Sequence, residues 1–146
     1  MAEALLEVRN LTVYYETESS PVRAVEDVSL NVHEGEIFGI VGESGCGKST
    51  LALAILRLLK PPGVIKRGRV FFEGTDLLKL KESELRKIRW RKLSYIPQSS
   101  MNALNPVMRV GDQIAEVIEI HEGKHPKHEL SRRVKDLLVR WAYRLR

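Results

Sequence analysis

Apolar residues in the first part of the chain recur at the spacing of β-strands. Residues 5–15 (LLEVRNLTVYY) alternate loosely and are rich in β-branched and aromatic side chains, which predicts a strand with a kink at Asn10. In residues 22–32 the apolar side chains of Val28, Leu30 and Val32 alternate with polar ones, which predicts a second, half-buried strand. A polar turn lies between the two segments, so the pattern predicts an antiparallel N-terminal region.

The middle of the chain changes to a strand, turn and helix pattern. Residues 36–41 (EIFGIV) form a short apolar run that predicts a buried strand, and the Leu/Ala-rich residues 49–59 predict a buried helix. Pro61 and Pro62 are expected to stop that helix. Short strands are then predicted at 68–73 and 93–97, with a helix at 84–91 between them capped by Ser83.

The last third of the chain has helical periodicity. Residues 110–121 carry apolar side chains at helical spacing, and a second amphipathic helix is predicted from Ser131 onwards. The apolar face of this last helix is expected to face the core with a solvated basic side, although a basic amphipathic helix can also bind a membrane or a partner groove. Its members are Val134, Leu137, Leu138, Trp141 and Leu145.

Composition limits the class of protein without identifying it. The 146 residues allow one domain at most, and 43% hydrophobic with 29% charged residues is typical of a globular chain. No apolar run approaches the ~18 residues of a membrane span, and the N-terminus has no signal-peptide pattern, so a cytoplasmic location is expected. A net charge of +5 suits nucleic acid, anionic lipid or an acidic ligand equally.

One motif predicts chemistry. Residues 42–50 (GESGCGKST) fit the phosphate-binding pattern G-x-x-x-x-G-K-[ST], placed between a predicted strand and a predicted helix. Backbone N–H groups of such a glycine turn and of the following helix N-terminus form an anion-binding nest. Lys48 is expected to reach the β- and γ-phosphates of ATP, Ser49 to bind Mg²⁺, and Thr50 to add a phosphate contact. The predicted cofactor-binding residues of the loop are Gly42, Glu43, Ser44, Gly45, Cys46, Gly47, Lys48, Ser49 and Thr50.

Together with the segments on either side, this loop resembles the nucleotide-binding subunit of ATP-binding cassette (ABC) transporters. About 50 residues after the loop, the sequence YIPQ that ends in Gln98 resembles the Q-loop of that family. The resemblance implies that Gln98 is a catalytic residue that contacts Mg²⁺ and the water. The opening segment VRNLTVYY also resembles the family, and there Tyr15 falls where an aromatic ring stacks on adenine.

The segment after the Q-loop resembles one branch of the family. Residues 98–106 (QSSMNALNP) and 110–114 (VGDQI) are similar to oligopeptide and dipeptide importers, and the similarity runs from about residue 5 to about residue 138. This implies import of di- or oligopeptides, with nickel or oligosaccharides as other cargo of the branch. The implied partners are two permease subunits in the membrane, a second ATPase subunit and an extracytoplasmic substrate-binding protein, with no nucleic acid. Residues 99–110, with apolar Met101, Leu104 and Met108, are expected to contact the permease.

The implied fold is an α/β P-loop NTPase of the ABC type, present in part. Residues 1–35 are expected to form its antiparallel β part, 36–98 the phosphate-loop core, and 99–146 the Q-loop with the start of the helical subdomain. The implied location is the cytoplasm, peripheral on the inner face of the cell membrane.

The sequence departs from the family on the C-terminal side of the Q-loop. It contains no LSGGQ-like segment, no Asp-Glu pair after an apolar strand and no switch histidine. The chain is therefore expected to correspond to the N-terminal portion of such a subunit and to bind ATP without efficient hydrolysis. The alternative is a non-catalytic fragment or pseudogene product without a transport role. A nucleic-acid-linked ABC ATPase is a third, weaker interpretation, which the importer-like residues 98–106 disfavour.

Overall fold

The structure is a computed structural model that describes residues 4–98 and 104–143. Its chain forms two compact units, Met1–Arg89 and Trp90–Arg146, called here the N-terminal and C-terminal units. Met101 and Leu145, which were assigned a permease contact and a place on the last helix, lie outside the described residues. Within the described residues no helix is both long enough and apolar enough to span a membrane.

An antiparallel sheet organises the N-terminal unit, as the alternation of its sequence predicts. The strand order is β2-β1-β3-β4, so β1 is hydrogen-bonded on both edges. The strands are β1 (Leu6–Tyr15), β2 (Val22–Val32), β3 (Gly63–Phe72) and β4 (Thr75–Asp76). β3 begins five residues before the predicted strand at 68–73, because residues 63–67 also pair with the end of β1.

β1 is irregular at its predicted kink, and its pairing with both β2 and β3 shifts there. Asn10 has a φ of 48°, and the register of β1 shifts beside it in both pairings. The shift brings Val8 and Leu11, three residues apart, both into the core, where they are 1% and 0% exposed. β3 passes so close that a Cβ on Gly68 (φ 110°) would lie 2.5 Å from the Leu11 Cα. Only glycine fits there.

Two helices complete the N-terminal unit. Helix α1 (Lys48–Ile55) packs against β1 and β2 and buries Leu51 and Ala54. It ends earlier than the predicted residue 59, because Arg57 adopts a φ of 52° and the Arg57 and Leu58 amides donate to Ala54 and Leu53 carbonyls. These bonds form a helix-terminating turn before the two prolines are reached.

Helix α2 (Glu82–Ile88) begins at a different residue from the one predicted. Its N-cap is Lys81, whose backbone N–H donates to the Glu84 carboxylate at 2.9 Å. Ser83 therefore lies inside the first turn, and the prediction that it caps the helix is wrong. The Glu84 carboxylate, at the third helical position, accepts the N–H of the N-cap residue itself, as in a capping box.

The predicted strands at 36–41 and 93–97 are also wrong, because neither segment is a strand in the structure. Ile37 and Val41 are 99% and 97% exposed. An apolar run becomes a strand only where a neighbouring strand satisfies its backbone hydrogen bonds. Among the described residues the sheet contains no strand paired with 36–41.

The C-terminal unit contains helices α3 (Val110–Glu122) and α4 (Lys127–Tyr143), which pack against each other. Ile118 and Val134 are its buried apolar side chains among the residues that the structure describes. α4 begins four residues before the predicted Ser131. Its predicted core-facing stripe is wrong beyond Val134, because the other described members are exposed, by 49% at Leu137, 44% at Leu138 and 72% at Trp141.

Candidate functional site

The phosphate-loop motif forms an exposed turn that leads directly into α1. Residues 42–46 are exposed, and Gly47 is the N-cap of the helix with a left-handed φ of 93°. A Cβ on Gly47 would lie 2.1 Å from the carbonyl oxygen of Ala24 in β2. The helix N-terminus therefore rests against a strand at a place where no side chain fits.

The other two glycines of the loop differ in what surrounds them. Gly45 has a φ of 82° and open space where a side chain would be. A Cβ on Gly42 would lie 2.7 Å from the Sγ atom of Cys46. The loop thus closes tightly between Gly42 and Cys46, while Gly45 is needed for its backbone conformation.

Lys48 spans the inside of the loop. Its ammonium donates hydrogen bonds to the carbonyl oxygens of Gly42 and Glu43, at 2.7 and 2.6 Å, and contacts the Cys46 Sγ at 3.4 Å. The three donors of an ammonium group can exchange such carbonyls for phosphate oxygens. The Lys48 ammonium is therefore held within the loop, at a position where it could contact a phosphate chain.

The electrostatics of the helix start favour an anion. The first-turn N–H groups of a helix have no partner within the helix, and they carry its positive dipole end. The first turn of α1 contains no acidic residue, and it begins with Lys48 followed by Ser49 and Thr50. Ser49 is exposed, which suits a hydroxyl that binds a metal ion in solution. The residues present therefore fit a polyphosphate with its Mg²⁺.

Tyr15 lies beside the same helix turn. Its phenolic oxygen is 3.3 Å from the Thr50 Oγ1, and both side chains are half-buried. Sequence reasoning placed both residues in the nucleotide site, and the structure brings them together. Sequence reasoning did not identify Ala24, whose carbonyl lies against Gly47, or Gly63, which leaves space for the Tyr15 ring. Neither belongs to a motif.

A cavity of about 460 Å³ lies between β2 and the segment that leads into the loop. It is lined by Val28 and Leu30 of β2, by Ile40 and Val41, and by Cys46 and Lys48 of the loop. Its wall is mostly apolar, so this space suits packed side chains better than a triphosphate. Most of the predicted phosphate-binding residues lie on the exposed turn and at the helix start, outside this cavity.

Gln98 lies in the C-terminal unit, where it is exposed. Ser49 belongs to the N-terminal unit, so the Mg²⁺ contact assigned jointly to these residues stays a prediction. Over residues 4–98 and 104–143, no cluster of three or more His, Cys, Asp or Glu side chains could hold a metal ion.

The segment after the Q-loop is held by an amide that sequence reasoning did not single out. The Gln113 side chain accepts from the Asn105 N–H at 2.9 Å and donates to the Asn105 and Met108 carbonyls at 3.0 and 3.1 Å. Leu104 and Met108, predicted to contact a permease, are 48% and 41% exposed. Side-chain to backbone bonds of this kind have no signal in a sequence pattern.

Comparison with known families agrees with the fold and the loop. The model of the family described as "ABC transporter" matches residues 25–143. Because this is most of the chain, the protein belongs to the ABC transporter family.

Its curated relatives narrow the resemblance. The chain is 43% identical over 135 residues to the oligopeptide transport ATP-binding protein OppD of Bacillus subtilis (strain 168), covering 92% of this chain and 37% of that protein. It is equally identical, over 135 residues, to the dipeptide transport ATP-binding protein DppD of Escherichia coli (strain K12), with 92% and 41% covered. The chain therefore spans about two fifths of the length of these relatives.

Solved structures share the fold. The dimeric ATP-binding cassette MJ0796 superposes with a TM-score of 0.73 at 29% identity, over 88% of this chain and 53% of that one. A post-hydrolysis state of the same cassette, bound to ADP and Pi, gives 0.72 at 26% identity, over 90% and 54%. The predicted fold, an ABC-type P-loop NTPase present in part, is confirmed.

Proposed function

We propose that the chain is the nucleotide-binding portion of an ATP-binding subunit that energises the import of di- or oligopeptides. The proposal rests mainly on the geometry of the loop between Gly42 and Thr50. Gly47 lies directly against β2, and the Lys48 ammonium is hydrogen-bonded to carbonyls inside the turn. The proposal is also supported by the similarity to OppD and DppD, whose names state peptide transport.

The chemistry of the loop follows from its own residues. Phosphate oxygens of ATP would replace the Gly42 and Glu43 carbonyls as acceptors for Lys48, while the first-turn N–H groups of α1 bind the same anion. Ser49 and Gln98 would hold Mg²⁺, which neutralises phosphate charge, and the ring of Tyr15 would stack on adenine. Gly45 and Gly47 keep the backbone in the left-handed conformation that the turn requires.

These 146 residues alone are proposed to bind ATP without efficient hydrolysis. Phosphoryl transfer needs a positioned water and charge stabilisation around the γ-phosphate. The family places those groups in an LSGGQ-like segment of a second subunit and in an Asp-Glu pair, and neither motif occurs in the sequence. The corresponding domain division is residues 1–35, 36–98 and 99–146.

The proposed partners follow from the family. They are the permease subunits of the membrane, a second ATPase subunit in a dimer, and indirectly an extracytoplasmic binding protein. Leu104, Val107 and Met108 would contact the permease, since they present exposed apolar side chains on the segment that Gln113 holds. The proposed location is the cytoplasmic face of the cell membrane.

Equilibrium binding of a fluorescent ATP analogue, with and without Mg²⁺, tests the proposal. Wild type should bind saturably, and Lys48→Ala should bind at least about tenfold more weakly, because a charge-assisted contact to phosphate is lost. Lys60→Ala, a lysine between α1 and β3, is the matched control and should bind as wild type does. Equal binding by all three chains would contradict the site, and absence of binding would favour a fragment without a nucleotide role.

A further inference from the structure

We propose that Tyr15 is a positioning residue for the phosphate loop. Its phenolic hydroxyl, hydrogen-bonded to Thr50, holds the first turn of α1 in the arrangement that binds a polyphosphate. This inference rests on the proposed nucleotide site, and it is separate from stacking on adenine, which uses the face of the ring and not its hydroxyl.

The bond connects two elements that are distant in the sequence. The Tyr15 Oη is 3.3 Å from the Thr50 Oγ1 across 35 residues of chain, and either hydroxyl can donate. Thr50 lies two residues after Lys48 in the first turn of the helix. Half-burial of both side chains shields the bond from competing water. A tether at Thr50 therefore acts on the turn that carries the lysine.

The tyrosine is itself held firmly enough to act as an anchor. It pairs with Val22 on one side of β1 and with Gly63 on the other, next to a hydrogen bond from the Glu16 N–H to the Pro62 carbonyl at 3.0 Å. A Cβ on Gly63 would lie 3.0 Å from the Tyr15 Cε1, so the ring occupies the space that a side chain would take. The central strand of the sheet thus fixes where the hydroxyl lies.

The residue before Lys48 lies close against the neighbouring strand. A Cβ on Gly47 would lie 2.1 Å from the Ala24 carbonyl oxygen of β2, whereas Thr50 is hydrogen-bonded to Tyr15 of β1. The first is a steric approach, and the second is a bond that holds the turn. Removal of the Tyr15 hydroxyl breaks that bond, and the Thr50 side chain then gains rotamer freedom that phosphate binding must remove.

Inorganic tripolyphosphate separates this role from stacking, because it has phosphates and no base. Its binding to the full chain is measured by calorimetry for wild type and Tyr15→Phe, which keeps the ring. We expect about threefold weaker binding, as for one lost neutral hydrogen bond, and a similar factor for ATP. Tyr14→Phe is the matched control. Tyr14 is the preceding residue of β1, and its ring lies beside Arg23 of β2. This variant should bind as wild type does.

A double-mutant cycle identifies the partner hydroxyl. Tyr15→Phe should still weaken tripolyphosphate binding in a Thr50→Ser background, which keeps a hydroxyl, and should cause no further loss in Thr50→Val. Unchanged tripolyphosphate binding in Tyr15→Phe, or an equal loss in the Thr50→Val and Thr50→Ser backgrounds, would overturn the inference.

Amide hydrogen exchange tests the same contact without a ligand. The Leu51 N–H donates to the Gly47 carbonyl at 2.8 Å in the first turn of α1. Tyr15→Phe should accelerate exchange of this amide severalfold relative to Tyr14→Phe. If wild type binds neither ATP nor tripolyphosphate, the proposed function fails and this readout alone decides the positioning role. Equal exchange rates in the two variants would contradict it.

Discussion

The two units of this chain hold their candidate functional residues in different surroundings. In the N-terminal unit, the phosphate loop rests on strands whose core side chains, such as Leu11 and Val13, are 0% exposed. In the C-terminal unit, Gln98 lies in a segment without helix or strand, and the helices leave Ile120 and Trp141 68% and 72% exposed. The start of α1 is therefore supported by packed strands, although residues 36–46 that lead into it are exposed. Gln98 is exposed in a segment that is neither helix nor strand.

The largest effect should come from breaking the contact between the loop and the sheet. Gly47→Ala places a methyl group 2.1 Å from the Ala24 carbonyl and forces a φ of 93° on a residue with a side chain. We expect nucleotide binding to fall by more than about tenfold and the thermal unfolding temperature to drop, since the left-handed conformation alone costs about 1–2 kcal/mol.

Gly45→Ala is the matched control for that substitution. Gly45 also has a positive φ, of 82°, but open space surrounds it. Gly45→Ala should lose only the stability that a side chain at positive φ costs. Calorimetric unfolding of Gly45→Ala and Gly47→Ala measures the difference between the two variants. Equal losses of stability in the two variants would show that the close approach of Gly47 to β2 does not affect stability.

An effect of intermediate size is expected on the Mg²⁺ dependence of ATP binding. Ser49→Ala removes the expected metal ligand in the well-packed unit, and Gln98→Ala removes the one in the C-terminal unit. Each substitution removes one expected oxygen ligand of Mg²⁺. We expect the strengthening of ATP binding by Mg²⁺ to fall about tenfold for Ser49→Ala, because Ser49 lies on a helix that packs against the sheet, and about threefold for Gln98→Ala, because Gln98 is exposed outside helix and strand. Titration of Mg²⁺ at fixed ATP measures both.

Ser83→Ala, inside α2 and outside the loop, is the control for that comparison and should respond to Mg²⁺ as wild type does. With the metal chelated, the differences among the four chains should shrink. A larger loss for Gln98→Ala than for Ser49→Ala would contradict the expectation that Ser49 contributes more to Mg²⁺ binding.

The smallest effect should appear in the C-terminal unit at acid pH. Arg133 donates two hydrogen bonds to Glu122, at 2.7 and 2.9 Å, and these bonds lower the pKa of the Glu122 carboxyl below its ordinary value of 4.5. A lowered folded-state pKa means that the pair stabilises the unit fully above pH 4.5 and loses this contribution as the pH falls through the lowered pKa. The pair is exposed to solvent, so the loss should be slight.

Amide exchange in α4, compared between wild type and Glu122→Gln at each pH, measures this contribution. The two chains should differ at neutral pH and converge in acid, whereas the control Glu116→Gln, on the exposed side of α3, should match wild type throughout. A constant difference between wild type and Glu122→Gln down to acid pH would show that ionisation of Glu122 is irrelevant to the helix pair.

The sequence predicted best what is determined locally or by adjacent strands. β1, β2 and the phosphate loop were predicted because alternation and glycine spacing specify them without distant residues. Residues 36–41 were predicted as a strand for the same apolar reason, yet without a paired neighbour Ile37 and Val41 are exposed. The exposed stripe of α4 was missed because periodicity shows that a helix has an apolar face but not what covers it.

The details of the site divide in the same way. The motif predicts Lys48, Ser49 and Thr50. No residue type predicts that the Ala24 carbonyl lies against Gly47, or that Gly63 leaves space for the Tyr15 ring. The end of α1 was misplaced because a left-handed Arg57 terminates it, a conformation that is uncommon outside glycine and asparagine. Such contacts depend on the assembled sheet and not on the order of residues.

We propose that ATP binds to the loop of the N-terminal unit and is not held by the basic charge of the chain. Backbone amide chemical shifts during titration with Mg-ATP distinguish the two. We predict that the largest shifts fall within residues 42–50, led by Gly47 and Lys48, and that Lys48→Ala strongly reduces them. Shifts of equal size along the basic helix α4, or shifts that persist in Lys48→Ala, would show that the loop is not the ATP site.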